Sequence, residues 1–199
     1  MTRPRLFFSF IFGLLLAGGI FFGHGVYIYI KADIAQLLLN NAWQKTKLSQ
    51  QAIKPWPWAD TWPVARLWVP AQHEQMIVLA GDSGRTLAFG PGYHFGSALP
   101  GQAGNSIISA HRDTHFHFLK YIHLGDEIYV ENNRGQHKRY LVTQAKIIDT
   151  RTTHLTIDND QDGLTLVTCY PFDAIIPGGP KRYIVYASAV SQKDPVSKI

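Results

Sequence analysis

The feature that most constrains this chain is an uncharged, apolar stretch from Leu6 to Ile30. A helix of that length rises about 1.5 Å per residue and is long enough to cross a hydrocarbon core of about 30 Å. Arg3 and Arg5 precede the stretch and favour a cytoplasmic N-terminus. Since no small-residue cleavage site stands near its end, an uncleaved anchor is favoured over a removed signal peptide. The sequence predicts a single-pass protein of the plasma (inner) membrane, extracytoplasmic from Lys31 onward.

Between this stretch and the remaining sequence lies a short connecting region. From Lys31 to Gln51 apolar residues recur at helical spacing, which predicts that the membrane helix continues as a stalk. Prolines 55, 57 and 63 then end any helix. Four of the five tryptophans lie between Trp56 and Trp68; they pin this segment to the domain or, alternatively, form a carbohydrate-stacking platform. The predicted organisation is an anchor at 1–30, a juxtamembrane helix and linker at 31–63, a catalytic domain at 64–190 and a tail at 191–199.

The predicted domain consists of many short strands. Seven runs are rich in β-branched, leucine or tyrosine residues and are separated by Gly, Pro, Asn and Asp. These runs are Ala65–Val69, Met76–Leu79, Ser106–Ala110, Glu127–Glu131, Arg139–Ile148, Leu164–Thr168 and Tyr183–Ala189. Asn132–Gly135 is a hairpin signal, and His115–Ile122 is a single helical turn. The pattern predicts an all-β domain, either a closed barrel or a sandwich.

The charge of the chain bears on its partners. The net charge is +5 and the isoelectric point is about 9.3, but the basic residues are spread along the sequence. A nucleic-acid-binding protein concentrates them in a patch or stripe. Nucleic acid is therefore not a predicted partner, whereas anionic lipids or cell-wall polymers are compatible with the charge.

Three chemically distinctive side chains stand at predicted strand ends. Cys169 is the only cysteine, closes an apolar strand and precedes Tyr170-Pro171, so it lies at a rim rather than within a ladder. A buried structural cysteine is the alternative. His111 follows the strand that ends at Ala110, and Arg182 begins the last strand. In acyl transfer a thiol can act as the nucleophile, an imidazole as the general acid and base, and a guanidinium as the hydrogen-bond donor that stabilises the oxyanion.

The segments around these residues resemble the motifs of sortases, the cysteine transpeptidases that attach proteins to bacterial surfaces. Thr165–Cys169 resembles the T-L-x-T-C signature, and Ser109–Thr114 is similar to the histidine segment, with Ala110 where glycine is usual. Lys181–Val185 is similar to the arginine-bearing final strand. The motifs occur in the family's order over about Ala65 to Ala189, with the His-Arg-Asp-Thr run closest to class D-like and small proteobacterial members.

The resemblance implies an eight-stranded sortase-type β-barrel that performs a two-step acyl transfer. Cys169 would attack the threonine carbonyl of a Leu-Pro-x-Thr-Gly-type C-terminal sorting signal and form a thioester. His111 would serve as general acid and base, and Arg182 would hold the substrate and stabilise the oxyanion. The partners implied are a substrate protein carrying the signal and an amine acceptor that the sequence leaves unspecified. The resemblance implies no metal or other cofactor. The loop from Asp149 to Gly163 would form much of the substrate groove.

Other interpretations of the sequence are weaker. Asp158–Gly163 matches the first half of a calcium loop, but its twelfth position is Cys169 and strands flank it. His111–His117 contains alternating histidines without a second ligand cluster for zinc. An L,D-transpeptidase, another cysteine enzyme that acts on peptidoglycan, would carry a Ser-x-Gly-Cys-x-Arg segment, and Val167–Pro171 does not match it. A non-enzymatic, membrane-tethered barrel that binds a surface partner is the remaining alternative.

Overall fold

The structure is a computed structural model that describes residues 3–153, 161–176 and 178–190. Its helices and strands are α1 (Arg3–Ser49), β1 (Pro63–Val69), the 3-10 turn η1 (Pro70–Gln72), β2 (Glu74–Ala80), α2 (Gly84–Leu87), β3 (Gly92–Tyr93), β4 (Asn105–Ser109), the 3-10 turn η2 (His117–Tyr121), β5 (Glu127–Asn132), β6 (His137–Asp149), β7 (Gly163–Cys169) and β8 (Lys181–Ala189). The predicted tail at 191–199, part of the 149–163 loop and the first residues of the calcium-like segment lie outside the described residues.

The eight strands form a closed barrel in the order β1-β2-β3-β4-β7-β8-β6-β5. β2 pairs with β3, and β4 with β7, in parallel; the other pairs are antiparallel. Closure leaves no exposed sheet edge. The predicted all-β barrel is confirmed. Six of the seven predicted runs lie within a strand, and the seventh, Ser106–Ala110, extends one residue past the end of β4. The eighth strand, β3, has only two residues.

The barrel core follows from the alternation of side chains along each strand. On β1, Ala65, Leu67 and Val69 are fully buried, while the residues between them are more exposed. A period of two places alternate side chains on one face of a strand, so these three point inward. Phe118 and Leu119 of η2 join the same core. The segment after His111 is thereby anchored in the barrel.

The turn between β5 and β6 is the predicted hairpin. Asn132 Oδ1 accepts hydrogen bonds from the backbone amides of Arg134 and Gln136, at 3.0 Å each. Gly135 has φ +73°, a left-handed conformation that costs glycine little. The Asn-Asn-Arg-Gly sequence therefore fixes the turn locally.

The last turns of α1 belong to the same compact unit as the barrel, which begins at Leu38. Leu39 and Trp43 are fully buried and pack against Ile77 and Leu79 of β2. Lys47 Nζ lies 3.0 Å from the Glu131 carboxylate on β5. The end of this helix is thus part of the domain's packed interior.

The remainder of α1, up to Leu37, forms a unit of its own. Its large side chains are exposed, as at Phe8, Leu15 and Phe21, which is 78% accessible. Within the described part of the chain, this is the one helix long and apolar enough to cross a membrane. A long helix that is apolar on all sides is typical of a bilayer span.

Candidate active site

Cys169 is the last residue of β7, where the structure leaves it as a partly exposed free thiol. Leu164 to Leu166 and Thr168 are buried, whereas Val167 and Cys169 near the end of the strand are partly exposed. The strand must end here because Pro171 has no amide hydrogen to continue the ladder. The thiol therefore stands at the rim of the barrel.

His111 follows the end of β4, the strand that neighbours β7. β4 and β7 are parallel, and their last registered pair is Ser109 with Val167. His111 and Cys169 each stand two residues beyond that pair. The Ala110 amide still donates to the Val167 carbonyl at 3.2 Å, and Thr168 Oγ1 donates to the Ala110 carbonyl at 2.7 Å. Adjacent strands are about 4.8 Å apart. His111 and Cys169 therefore occupy equivalent positions just past the registered ends of two neighbouring strands.

Arg182 lies on the other side of Cys169. The two residues are direct cross-strand partners in the antiparallel pair of β7 and β8. Side chains in such pairs have Cβ atoms about 4.5–5.5 Å apart. Arg182 Nη1 donates to the carbonyls of Gly179 and Lys181, at 2.6 and 2.9 Å. These bonds hold the guanidinium beside the loop between β7 and β8.

A second imidazole influences the electrostatics near His111. Burial, and secondarily the nearby His111, lower the pKa of His115. A proton on His115 is disfavoured because it would be poorly solvated and would repel a protonated His111. His117 is exposed and its ring lies edge-on to Tyr121, with centroids 5.9 Å apart. His115 therefore interacts electrostatically with His111.

Three aromatic rings form a wall next to Cys169. Tyr170 and Tyr183 are stacked with centroids 6.3 Å apart, and the Phe172 ring lies 5.2 Å from Tyr183. Burial, with a smaller contribution from Tyr170, raises the pKa of Tyr183, which therefore stays neutral at physiological pH. Phe172 and Tyr183 also pack against the barrel core, and Tyr183 is the cross-strand partner of Thr168, so the rings hold the segment after Cys169 against the barrel. The Tyr-Pro-Phe run after Cys169 is the sequence signal for this wall.

The sequence analysis assigned no role to Arg112, to Asp113 or to the aromatic wall. Arg112 is 5% accessible and its guanidinium bonds to the segment after Cys169. Cys169 and Arg182 stand on β7 and β8, and His111 follows the end of β4, the other neighbour of β7 in the barrel. Within the part of the chain that the structure describes, no group of three or more His, Cys, Asp or Glu has the arrangement of a metal site.

Comparisons with known proteins identify the family of this chain. The sortase domain family matches residues 67–190 of the chain. Sortase D of Bacillus subtilis (strain 168) is 30% identical over 124 residues, which are 62% of this chain and 62% of that protein. The match thus spans somewhat less than two thirds of that relative.

Two solved structures are similar to this one. Sortase A from Corynebacterium diphtheriae is 25% identical with a TM-score of 0.59, covering 70% of this chain and 66% of that one. A Clostridium perfringens Sortase D5 transpeptidase has a TM-score of 0.64 at 20% identity, covering 80% of this chain and 99% of that one; it supports the fold alone. The closed eight-stranded barrel of this chain is the fold of these sortase structures. This chain belongs to the sortase family.

Proposed function

We propose that this chain is a membrane-anchored cysteine transpeptidase that cleaves a sorting signal and transfers the upstream protein to an amine. The observation that carries the proposal is the grouping of three residues at neighbouring strand ends: Cys169 on β7 lies directly opposite Arg182 on β8, and His111 follows the end of β4. Thiolate, acid/base and cation are the three groups that acyl transfer through a thioester requires.

In the first step, the Cys169 sulfur attacks the threonine carbonyl of a Leu-Pro-x-Thr-Gly-type signal. A carbon–sulfur bond forms and the threonine–glycine carbon–nitrogen bond breaks. His111 gives a proton to the departing amine. Arg182 offsets the charge that develops on the carbonyl oxygen. Its position opposite Cys169 and its bonds to Gly179 and Lys181 at the adjoining loop support this role.

In the second step, an amine attacks the thioester. A new carbon–nitrogen bond forms, the carbon–sulfur bond breaks, and His111 takes the proton that the attacking amine loses. One amide replaces another, so the exchange needs no ATP. The acceptor is an amine at the cell surface, and the substrate is a protein carrying the sorting signal.

The apolar part of α1 supports a single-pass anchor with the barrel extracytoplasmic. Its large side chains are exposed, and basic residues precede it in the sequence. A tethered enzyme would meet substrates that are themselves held at the membrane, which raises their effective concentration.

Replacing the thiol tests the proposed chemistry. Cys169→Ala should abolish both cleavage of a Leu-Pro-Ala-Thr-Gly peptide and transfer of its acyl part to an added amine, because no thioester can form. Chromatography of the peptide products measures both reactions, and circular dichroism checks the fold. Since Cys169 is the chain's only cysteine, mass spectrometry of wild type should locate any acyl intermediate there. Turnover of the peptide by folded Cys169→Ala would contradict the proposed mechanism.

A further inference from the structure

The segment that follows Cys169 is tied to the segment that carries His111 by one buried guanidinium. Arg112 Nη1 donates to the Pro171 carbonyl at 2.6 Å, and Nη2 donates to the Ala174 carbonyl at 2.7 Å. Hydrogen bonds from a charged donor are short and comparatively strong. The two nitrogens of the fork therefore hold both ends of the 171–174 turn, in which the Ala174 amide also donates to the Pro171 carbonyl.

Asp113 orients this guanidinium. Arg112 Nε donates to Asp113 Oδ1 at 3.2 Å, so each nitrogen of the guanidinium has a hydrogen-bond partner. Asp113 itself is mostly exposed, whereas Arg112 is buried. On the outer side of the same turn, Lys120 Nζ lies 2.9 Å from the Asp173 carboxylate. That pair is solvent-exposed and contributes little, which leaves Arg112 as the principal link.

The link matters because of where the sheet ends. The β4–β7 ladder stops at Ser109 and Val167, followed by the Thr168 bond to the Ala110 carbonyl. His111 and Cys169 come next, beyond the last backbone pairing. The hydrogen bond from Arg112 to the Pro171 carbonyl then joins the two segments again. The two candidate reacting residues are thus bracketed on one side by the end of the ladder and on the other by Arg112.

We propose that Arg112 is a positioning residue that sets the distance between the His111 imidazole and the Cys169 thiol, with Asp113 orienting it. The inference rests on the proposed roles of His111 and Cys169. Catalysis depends on reacting groups being held in near-attack geometry, where a displacement of about 1 Å can reduce the rate 10²-fold. A lysine cannot replace the arginine, since a single ammonium does not reproduce the planar fork that spans two carbonyls.

The test compares Arg112→Lys and Arg112→Ala with wild type as full-length protein in detergent. With a Leu-Pro-Ala-Thr-Gly peptide, both variants should lose about 10–100-fold in kcat while KM changes less than about threefold. Asp113→Asn, which keeps an oxygen acceptor for Nε, should retain most activity. Arg85→Ala is the matched control, because Arg85 is 87% exposed and lies on α2. Its kcat should equal that of wild type.

A second readout separates this inference from the proposed function. The rate at which iodoacetamide alkylates Cys169 is measured against pH, which reports the thiol and its imidazole neighbour without any peptide. The midpoint of that profile should shift in Arg112→Lys and stay unchanged in Arg85→Ala. If wild type does not process the peptide but the shift is present, the proposed function fails and the positioning role stands.

The positioning role is overturned if folded Arg112→Lys keeps both the wild-type kcat and the wild-type alkylation profile. Should the Arg112 variants not fold, Asp113→Ala provides the same measurements, since it removes the partner of Nε at an exposed position. A lowered kcat and a shifted profile in that variant support the role. Wild-type values of both in Asp113→Ala contradict it.

Discussion

At the scale of single residues, His111 and His117 are histidines of one short segment that differ in placement. His111 adjoins the end of β4 next to Cys169, whereas His117 is exposed beside Tyr121. His111→Ala should lower kcat/KM by about 10²–10⁴ if it carries the proton. Arg182→Ala should lower kcat/KM by about 10²–10³ as an oxyanion donor. Steady-state kinetics with the sorting peptide measure both. An equal loss of kcat/KM in His117→Ala would show that the proton transfer does not belong specifically to His111.

His115 should make stability depend on pH. Its pKa is lowered in the folded protein, chiefly by burial, whereas in the unfolded chain histidine titrates near pH 6.5. Below that pH the unfolded state binds more protons than the native state, so the free energy of unfolding decreases as the pH falls from about 7 to 5. His115→Gln should flatten that slope, as measured by urea unfolding at several pH values. His117→Gln is the control, and an unchanged slope in His115→Gln would contradict the prediction.

At the scale of secondary structure, the end of α1 should contribute to the stability of the barrel. Trp43 is fully buried against β2. Trp43→Ala should cost about 3–5 kcal/mol, which lowers Tm by roughly 6–20 °C in a domain of this size. Trp58→Ala is the matched control because Trp58 is largely exposed. Differential scanning calorimetry compares the two, and equal Tm values for them would show that α1 does not support the barrel.

The same packing determines where a soluble fragment should begin. A fragment starting at residue 31 keeps Leu39 and Trp43, whereas one starting at residue 54 removes them and exposes Ile77 and Leu79. We expect the longer fragment to be the more stable of the two. The sequence pattern of Lys31–Gln51 predicted a helix, and the structure confirms one to Ser49, but the pattern did not reveal which of its turns are buried against the barrel.

At the scale of the whole molecule, orientation in the membrane is the property to test. Arg3 and Arg5 before the apolar stretch favour an extracytoplasmic barrel. Protease added to spheroplasts should digest the barrel and leave a short membrane-embedded fragment, detected by an antibody against an N-terminal tag. Complete protection of the barrel would reverse the orientation. A mature N-terminus between Ala17 and Lys31 would identify the stretch as a cleaved signal instead.

The local features could be predicted from the amino-acid sequence: seven of the strands, the long apolar helix, the Asn132–Gly135 turn and the three motifs that resemble sortases. Each of these follows from side-chain periodicity, turn chemistry or a short contiguous motif. The strand pattern left barrel and sandwich open, and a barrel was implied only by the family resemblance, because closure depends on pairing between strands distant in sequence, such as β1 with β5. β3 has only two residues, which is too short for a side-chain alternation that would predict a strand. Arg112 stands within the histidine motif, but its burial and its bonds to Pro171 and Ala174 arise only when the chain brings together segments about 60 residues apart.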